Sequence, residues 1–199
     1  MARIKHTKNE LKAQMEALAR FERYLPMLLL KKQQLQAEIL NTAVAIAARE
    51  DEERREKDAL DGWAELFSEE ANLGDLVRLE RVEIEEGNIA GVDIPVLKRV
   101  AVGTREADLF WTPPWVDEAA RALDRLIRLR VEREILEEAR RRVAEELRVT
   151  AQRVNLFEKV KIPEARENIR VIRIFLGDER TAAVARGKIA KKRADEAHP

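Results

Sequence analysis

His6 and His198 are the only histidines in this sequence, and cysteine is absent. Zinc sites built from Cys and His, thiolate nucleophiles and histidine-dependent triads therefore have nothing to build on. Neighbouring carboxylates are plentiful, as in Glu137 with Glu138 and Glu145 with Glu146. On a charged helix such pairs are a solvated face rather than a general acid and base. A phosphate-cradling loop would read GxxxxGK followed by Ser or Thr, and no glycine here has that context. Gly87 and Gly91 match GxxxG, but that motif means helix packing only inside a long apolar span, and here it is turn chemistry. The expectation is a chain with no catalytic residue, no metal ligand and no cofactor, which is not an enzyme by itself.

Charge is more informative. The 38 basic and 38 acidic side chains cancel, so any electrostatic recognition must come from local patches. Arg3, Lys5, Lys8 and Lys12 lie near the start, and Arg186, Lys188, Lys191, Lys192 and Arg193 lie near the end. Glu80, Glu83, Glu85 and Glu86 lie in the middle. If the two flanks pair antiparallel, the basic groups meet at one tip and the glutamates mark the other. No apolar run approaches the roughly 20 residues of a membrane span, and the start carries no apolar signal region. A soluble, cytoplasmic chain is expected.

The elements that position these patches are marked out by glycine and proline. Five of the seven glycines and three of the six prolines fall between positions 62 and 114. The flanks read as long helices. Ile4, Leu11, Leu18, Leu25, Ile39 and Ile46 share one column of a seven-residue repeat, interrupted by Lys32, and Phe21, Leu28 and Leu35 form the second column. These are the a and d positions of a coiled coil. Thr7, Gln14 and Thr42 soften the second column, and the block from Glu50 to Asp58 continues the helix with little apolar seam. The second flank should start near Pro113, with Thr112 as cap and Asp117 and Glu118 in its first turn. Its apolar positions run from Leu123 through Ile127, Val131, Ile135, Ala139, Val143, Leu147, Thr150, Val154 and Phe157. Ile162, Ala165, Ile169, Ile172 and Leu176 continue the series.

Flanks of about 60 and 75 residues would make helices roughly 90 to 110 Å long. The middle has strand-like residues from Val77 to Val102, broken by Gly87, Asn88 and Gly91, which predicts a hairpin with Pro95 at an edge or bulge. Trp63, Phe67, Phe110, Trp111 and Trp115 would seat it on the helix ends or form a partner-binding surface. The fold class is thus all-α dominated: a long antiparallel two-helix coiled coil with a small β-hairpin region at the closed end. Its parts are an amino-terminal helix over 1–72, a hairpin and loop region over 73–112, and a carboxyl-terminal helix with a basic tail over 113–199. Pairing Ile4 with the region of Ala185 would set Pro26 and Pro163 at one height and either bend both helices together or leave two unrelated local kinks.

The opening from Ile4 to Leu35, with Thr7-Lys8-Asn9 and FERYLPMLLLKKQQL, resembles the amino-terminal helix of the D subunit of V-type and A-type rotary ATPases and ATP synthases. The segment from Arg153 to Arg193 is similar to that family's carboxyl-terminal signature, with Arg153-Val154-Asn155 and Ile162-Pro163, and NIAGVDIPV from Asn88 to Val96 also looks familial. The resemblance implies a central-stalk rotor shaft. It implies as partners the F subunit of the central stalk, the catalytic A and B subunits as a hexamer, and a socket subunit on the membrane rotor ring, with no nucleic acid and no direct membrane span. The chain would be peripheral to the membrane on the cytoplasmic side. It implies interface roles for Ile4, Leu11, Leu18, Arg153, Asn155, Arg186, Lys188 and Lys192, with Asn155 fixing helix register if it is buried. The alternative is a generic coiled-coil scaffold, or a nucleic-acid-binding protein that uses its basic tip.

Overall fold

The computed structural model describes residues 4–61, 77–104 and 115–197. The α1 helix spans Lys8–Asp61, β1 Val77–Ile89, β2 Val92–Thr104 and α2 Val116–Leu156. A single π-helical turn, Phe157–Lys161, then leads into α3, Ile162–Ala197. The expected fold class is what is found: long antiparallel helices with one two-stranded antiparallel hairpin between them in the chain.

Thr7, expected as a weak seam residue, is exposed and caps α1 instead. Its hydroxyl accepts the Glu10 N–H at 3.2 Å, satisfying one of the donors a helix start leaves unpaired. The columns hold elsewhere. Every other a and d position of α1 is turned inward, from half-buried Leu11 and Leu18 to Leu35 at 0 % and Ile46 at 5 % exposure. In α2 and α3 every expected apolar position from Leu123 to Leu176 is likewise buried or half-buried.

By contacts the chain divides into two compact units, 1–30 with 150–199 and 31–149. In the first, His6 stacks on Phe175 with ring centroids 4.7 Å apart, and Phe21 packs on Phe157 at 5.2 Å. Asn168 donates to Gln14 at 3.3 Å, and Arg166 pairs with Glu22 at 2.7 Å. This register differs from the expected one. His6 sits on Phe175, eight positions before the residue the expected pairing sets opposite it, and Phe21 on Phe157 is displaced in the same sense, whereas the Arg166–Glu22 pair lies close to the expected level.

Pro163 has its own accommodation. Its missing N–H and its ring disfavour a regular turn before it, and the π turn widens that turn, with the Ile162 N–H bonded to the Phe157 carbonyl. The spacing has the same effect. Phe157 and Ile162 are five apart, where the seam otherwise advances by three or four, and one wide turn absorbs the additional residue so that both side chains stay inward.

In the second unit the hairpin turn is a two-residue loop with Ala90 at φ 51° and Gly91 at φ 80°, the conformation that matches strand twist. The Asn88 carboxamide accepts the Gly91 N–H at 3.0 Å and donates to Asp93 at 2.7 Å. Pro95 faces Glu86 in a sheet whose described strands are both edges, as its missing donor requires. The hairpin folds back along the helices. Ile94 joins Leu35, Ala139 and Val143 in one buried cluster, with Ile89, Val92, Ile39 and Leu147 packed around it. Arg128 donates to the Val100 carbonyl at 2.9 Å and Arg142 to the Asp93 carbonyl at 3.2 Å. Trp115 is buried at 7 % exposure, whereas Trp63, Phe67, Phe110, Trp111 and the start at Pro113 lie outside the described residues.

Candidate functional site

The residues expected at interfaces fall into two settings, both in the unit formed by 1–30 and 150–199. Ile4, Leu11 and Leu18 are half-buried on the amino-terminal side of that unit. Leu18 lines a shallow groove of about 300 Å³ with Met15, Glu22, Arg166, Ile169 and Arg173. Arg186, Lys188 and Lys192 are exposed on α3, beyond the last residues that α1 reaches.

That overhang follows from the register. Ile172 is at 0 % exposure and Leu176 is half-buried, but every residue from Gly177 to Arg193 is exposed. The stretch holds six basic side chains against Asp178 and Glu179, and its apolar Val184 and Ile189 are 59 % and 55 % exposed. Helical length, positive charge and uncovered aliphatic groups together leave this stretch a mixed charged and apolar surface. Ile174 and Phe175, 52 % and 45 % exposed, continue it toward α1.

Around the Arg-Val-Asn signature only Val154 points inward, at 3 % exposure, while Arg153 and Asn155 are exposed. Asn155 therefore fixes no register. Two buried polar seam residues are Thr150, at 1 %, and Thr42, at 8 %, whose hydroxyl donates to the Glu38 carbonyl at 2.8 Å. The hairpin is less acidic than its glutamates suggest. Glu80, Glu83, Glu85, Glu86 and Asp93 are offset by Arg78, Arg81, Lys98 and Arg99, and Lys98 contacts Glu85 directly.

The seam also continues where none was expected. Arg49, Glu53 and Glu56 occupy the same columns as the apolar residues before them, and all three point inward. Arg49 pairs with Glu132 at 3.0 Å, Glu56 with Arg125 at 2.9 Å, and Glu53, only 8 % exposed, lies 3.3 Å from Arg133. A hydrogen bond from Lys57, with the Arg133 and Arg130 charges, lowers the Glu53 carboxyl below the ordinary carboxylate range. The signal was present as unbroken seven-residue spacing through Leu60. On the outer surface, hydrogen bonds from Arg141 and then Arg142 lower Glu138 to about 2. Among the described residues no group of His, Asp and Glu side chains is arranged to hold a metal ion.

What these features define is a protein of long antiparallel helices with one hairpin, carrying an uncovered basic and partly aliphatic stretch on α3. The family model for the D subunit of ATP synthase matches residues 10–192. The V-type ATP synthase D subunit of Borreliella burgdorferi is 44 % identical over 191 residues, covering 96 % of this chain and 95 % of the relative. The proteins of the same name from Chlamydia muridarum and Chlamydia abortus are 36 % and 34 % identical over 195 residues, covering 96 % of this chain and 96 % and 94 % of theirs. The chain belongs to the ATP synthase D-subunit family, the central-stalk subunits of V/A-type rotary ATPases and ATP synthases. No described helix is long and apolar enough to cross a membrane.

Proposed function

We propose that this chain is the non-catalytic shaft of its complex, transmitting torque between the catalytic A and B hexamer and the ion-translocating rotor in the membrane. The observation that carries the reading is the family match across residues 10–192. The exposed basic segment from Gly177 to Arg193 supports its direction, because a charged and partly aliphatic helix suits insertion among ring subunits. ATP chemistry then belongs to the ring, and the shaft contributes asymmetry. Two helices of unlike sequence have no threefold symmetry, so each catalytic site meets a different face and the sites are driven through different states in turn. Ile4, Leu11, Leu18, Arg186, Lys188 and Lys192 face the ring in this reading, and Arg153 and Asn155 offer an outward polar surface lower on the same unit. An F subunit and a socket subunit complete the connection, and the assembly stands at the cytoplasmic side of the membrane.

Co-expression with A, B and F subunits tests it. A stoichiometric complex whose ATP hydrolysis needs this chain supports the shaft. A hexamer that excludes the chain, or that hydrolyses ATP identically without it, overturns it.

A further inference from the structure

The helix pair between residues 35 and 60 closes in two chemically different ways, and both fall within the unit 31–149. From Leu35 to Ile46 the inward positions are mainly apolar and well packed: Leu35 is 0 % exposed, and across from it Val143 is 1 %. From Arg49 to Glu56 the same columns of α1 hold only Arg49, Glu53 and Glu56, facing Arg125, Glu132 and Arg133, while the apolar residues buried along this stretch, Ala122 and Val131, come from α2 alone. The fit there is imperfect. Arg133 Nε is buried without an aligned hydrogen-bond acceptor, although Glu53 Oε2 lies 3.3 Å away. Glu53 is shared among Lys57, Arg130 and Arg133, and Arg133 in turn reaches Glu137 at 2.8 Å and Glu50 at 3.9 Å.

We infer that this charged section is a built-in compliant joint: it opens and re-pairs locally while the apolar section beside it stays shut. Three physical facts lead there. Interlocked aliphatic side chains have one low-energy register, whereas long ionic side chains with several partners of similar distance can exchange partners as the helices shift. Buried ion pairs repay little or none of their desolvation, so this section contributes less to closure than a packed section of equal length. The outer pairs are also open to screening, with side chains 29 % to 47 % exposed in Arg49–Glu132 and Arg125–Glu56, so salt weakens them and leaves the apolar section unaffected. Local opening of this kind is read by amide exchange. The inference does not depend on the proposed function.

The experiment is amide hydrogen exchange on the full chain at about 0.05 M and about 0.5 M NaCl, wild type against the double variant Glu53→Leu with Arg133→Leu. In the wild type, residues 49–60 and 122–134 should exchange several-fold faster than 35–46 and 139–147, and faster still at high salt. In the double variant, exchange of the charged section should slow about tenfold or more and lose most of its salt dependence, with the apolar section changing less than about twofold. Equal protection of the two sections in the wild type, or salt-independent exchange of the charged one, overturns the joint. If the double variant folds poorly, Arg49→Ala gives a second reading: removing a half-exposed partner should speed exchange at 49–60 several-fold and leave 35–46 unchanged. A change of the same size in both sections overturns the inference.

Discussion

Leu35→Ala tests the packing that joins the helices to the hairpin. Leu35 is fully enclosed, in one cluster with Ile94 of β2 and with Ala139 and Val143 of α2. Truncation removes three carbon atoms, worth about 2.4 kcal/mol at about 0.8 kcal/mol for each buried methylene. The cavity adds to this, because three separate elements line the site and none can relax into it without dragging the others. A total of about 3 to 4 kcal/mol is expected. For a chain of this length that lowers the melting temperature by roughly 6 to 15 °C. Urea and thermal unfolding followed by helical circular dichroism would measure it, with exchange at Ile89 to Ile94 reporting on the hairpin. Leu40→Ala is the internal standard, since Leu40 is 68 % exposed on the same helix and should change stability by no more than about 0.5 kcal/mol. Equal losses in the two variants, or a loss below about 1 kcal/mol at Leu35, would refute the reasoning.

Glu138 should titrate near 2 when followed by carboxyl NMR, and Arg141→Ala and Arg142→Ala should each move it toward the ordinary value. Its folded-state value is depressed, so its contribution to stability is present above the ordinary carboxylate range and is lost as pH falls through about 2. Ala90→Gly should stabilise the hairpin by about 0.5 kcal/mol, because relief of a left-handed Ala exceeds the added chain entropy; slower exchange along β1 and β2 would register it. Deleting Lys159 together with Pro163→Ala should cost less than about 1 kcal/mol, because the π turn reverts to a regular turn and the seam stays in phase. Deleting exposed Arg148 should cost about 3 kcal/mol or more by turning everything after it off the seam, and comparable melting of these two deletions would contradict that account.

Much of this arrangement was legible from residue spacing, because burying an apolar stripe is the dominant force on such helices and leaves a seven-residue trace. Ile39, Ile46, Val143, Val154 and Ile172 all face inward as that trace requires. The Gly91 turn and the edge placement of Pro95 were legible for a similar reason, since each residue tolerates few backbones. Register was not. Counting from Ile4 to Ala185 assumes uniform turns, and neither the π turn nor the packing of Phe21 on Phe157 follows from a count. The five-residue gap from Phe157 to Ile162 did carry the signal for that turn. The charged seam is hidden in the sequence because Glu53 and its neighbours have the composition of a solvated face. Only the continuing columns mark them as inward, and side-chain type outweighs position when sequence is read for polarity. Among the site residues, Arg186, Lys188 and Lys192 are exposed, while the burial that Asn155 needed for a register role is absent.

The hairpin has a consequence for the behaviour of the purified chain in a tube. Long strands with free rims are seeds for fibrils, since any extended segment of another molecule can add to the ladder. Here charges recur along both strands, at Arg78, Glu80, Arg81, Glu83, Lys98 and Arg99, so an approaching copy has to bury charge wherever it adds to the ladder. A molecule with a net charge of +0 has no long-range repulsion to hold its copies apart. Concentrated stocks therefore depend on this short-range pattern, and strong brine, which masks it, is the condition in which gelation should begin.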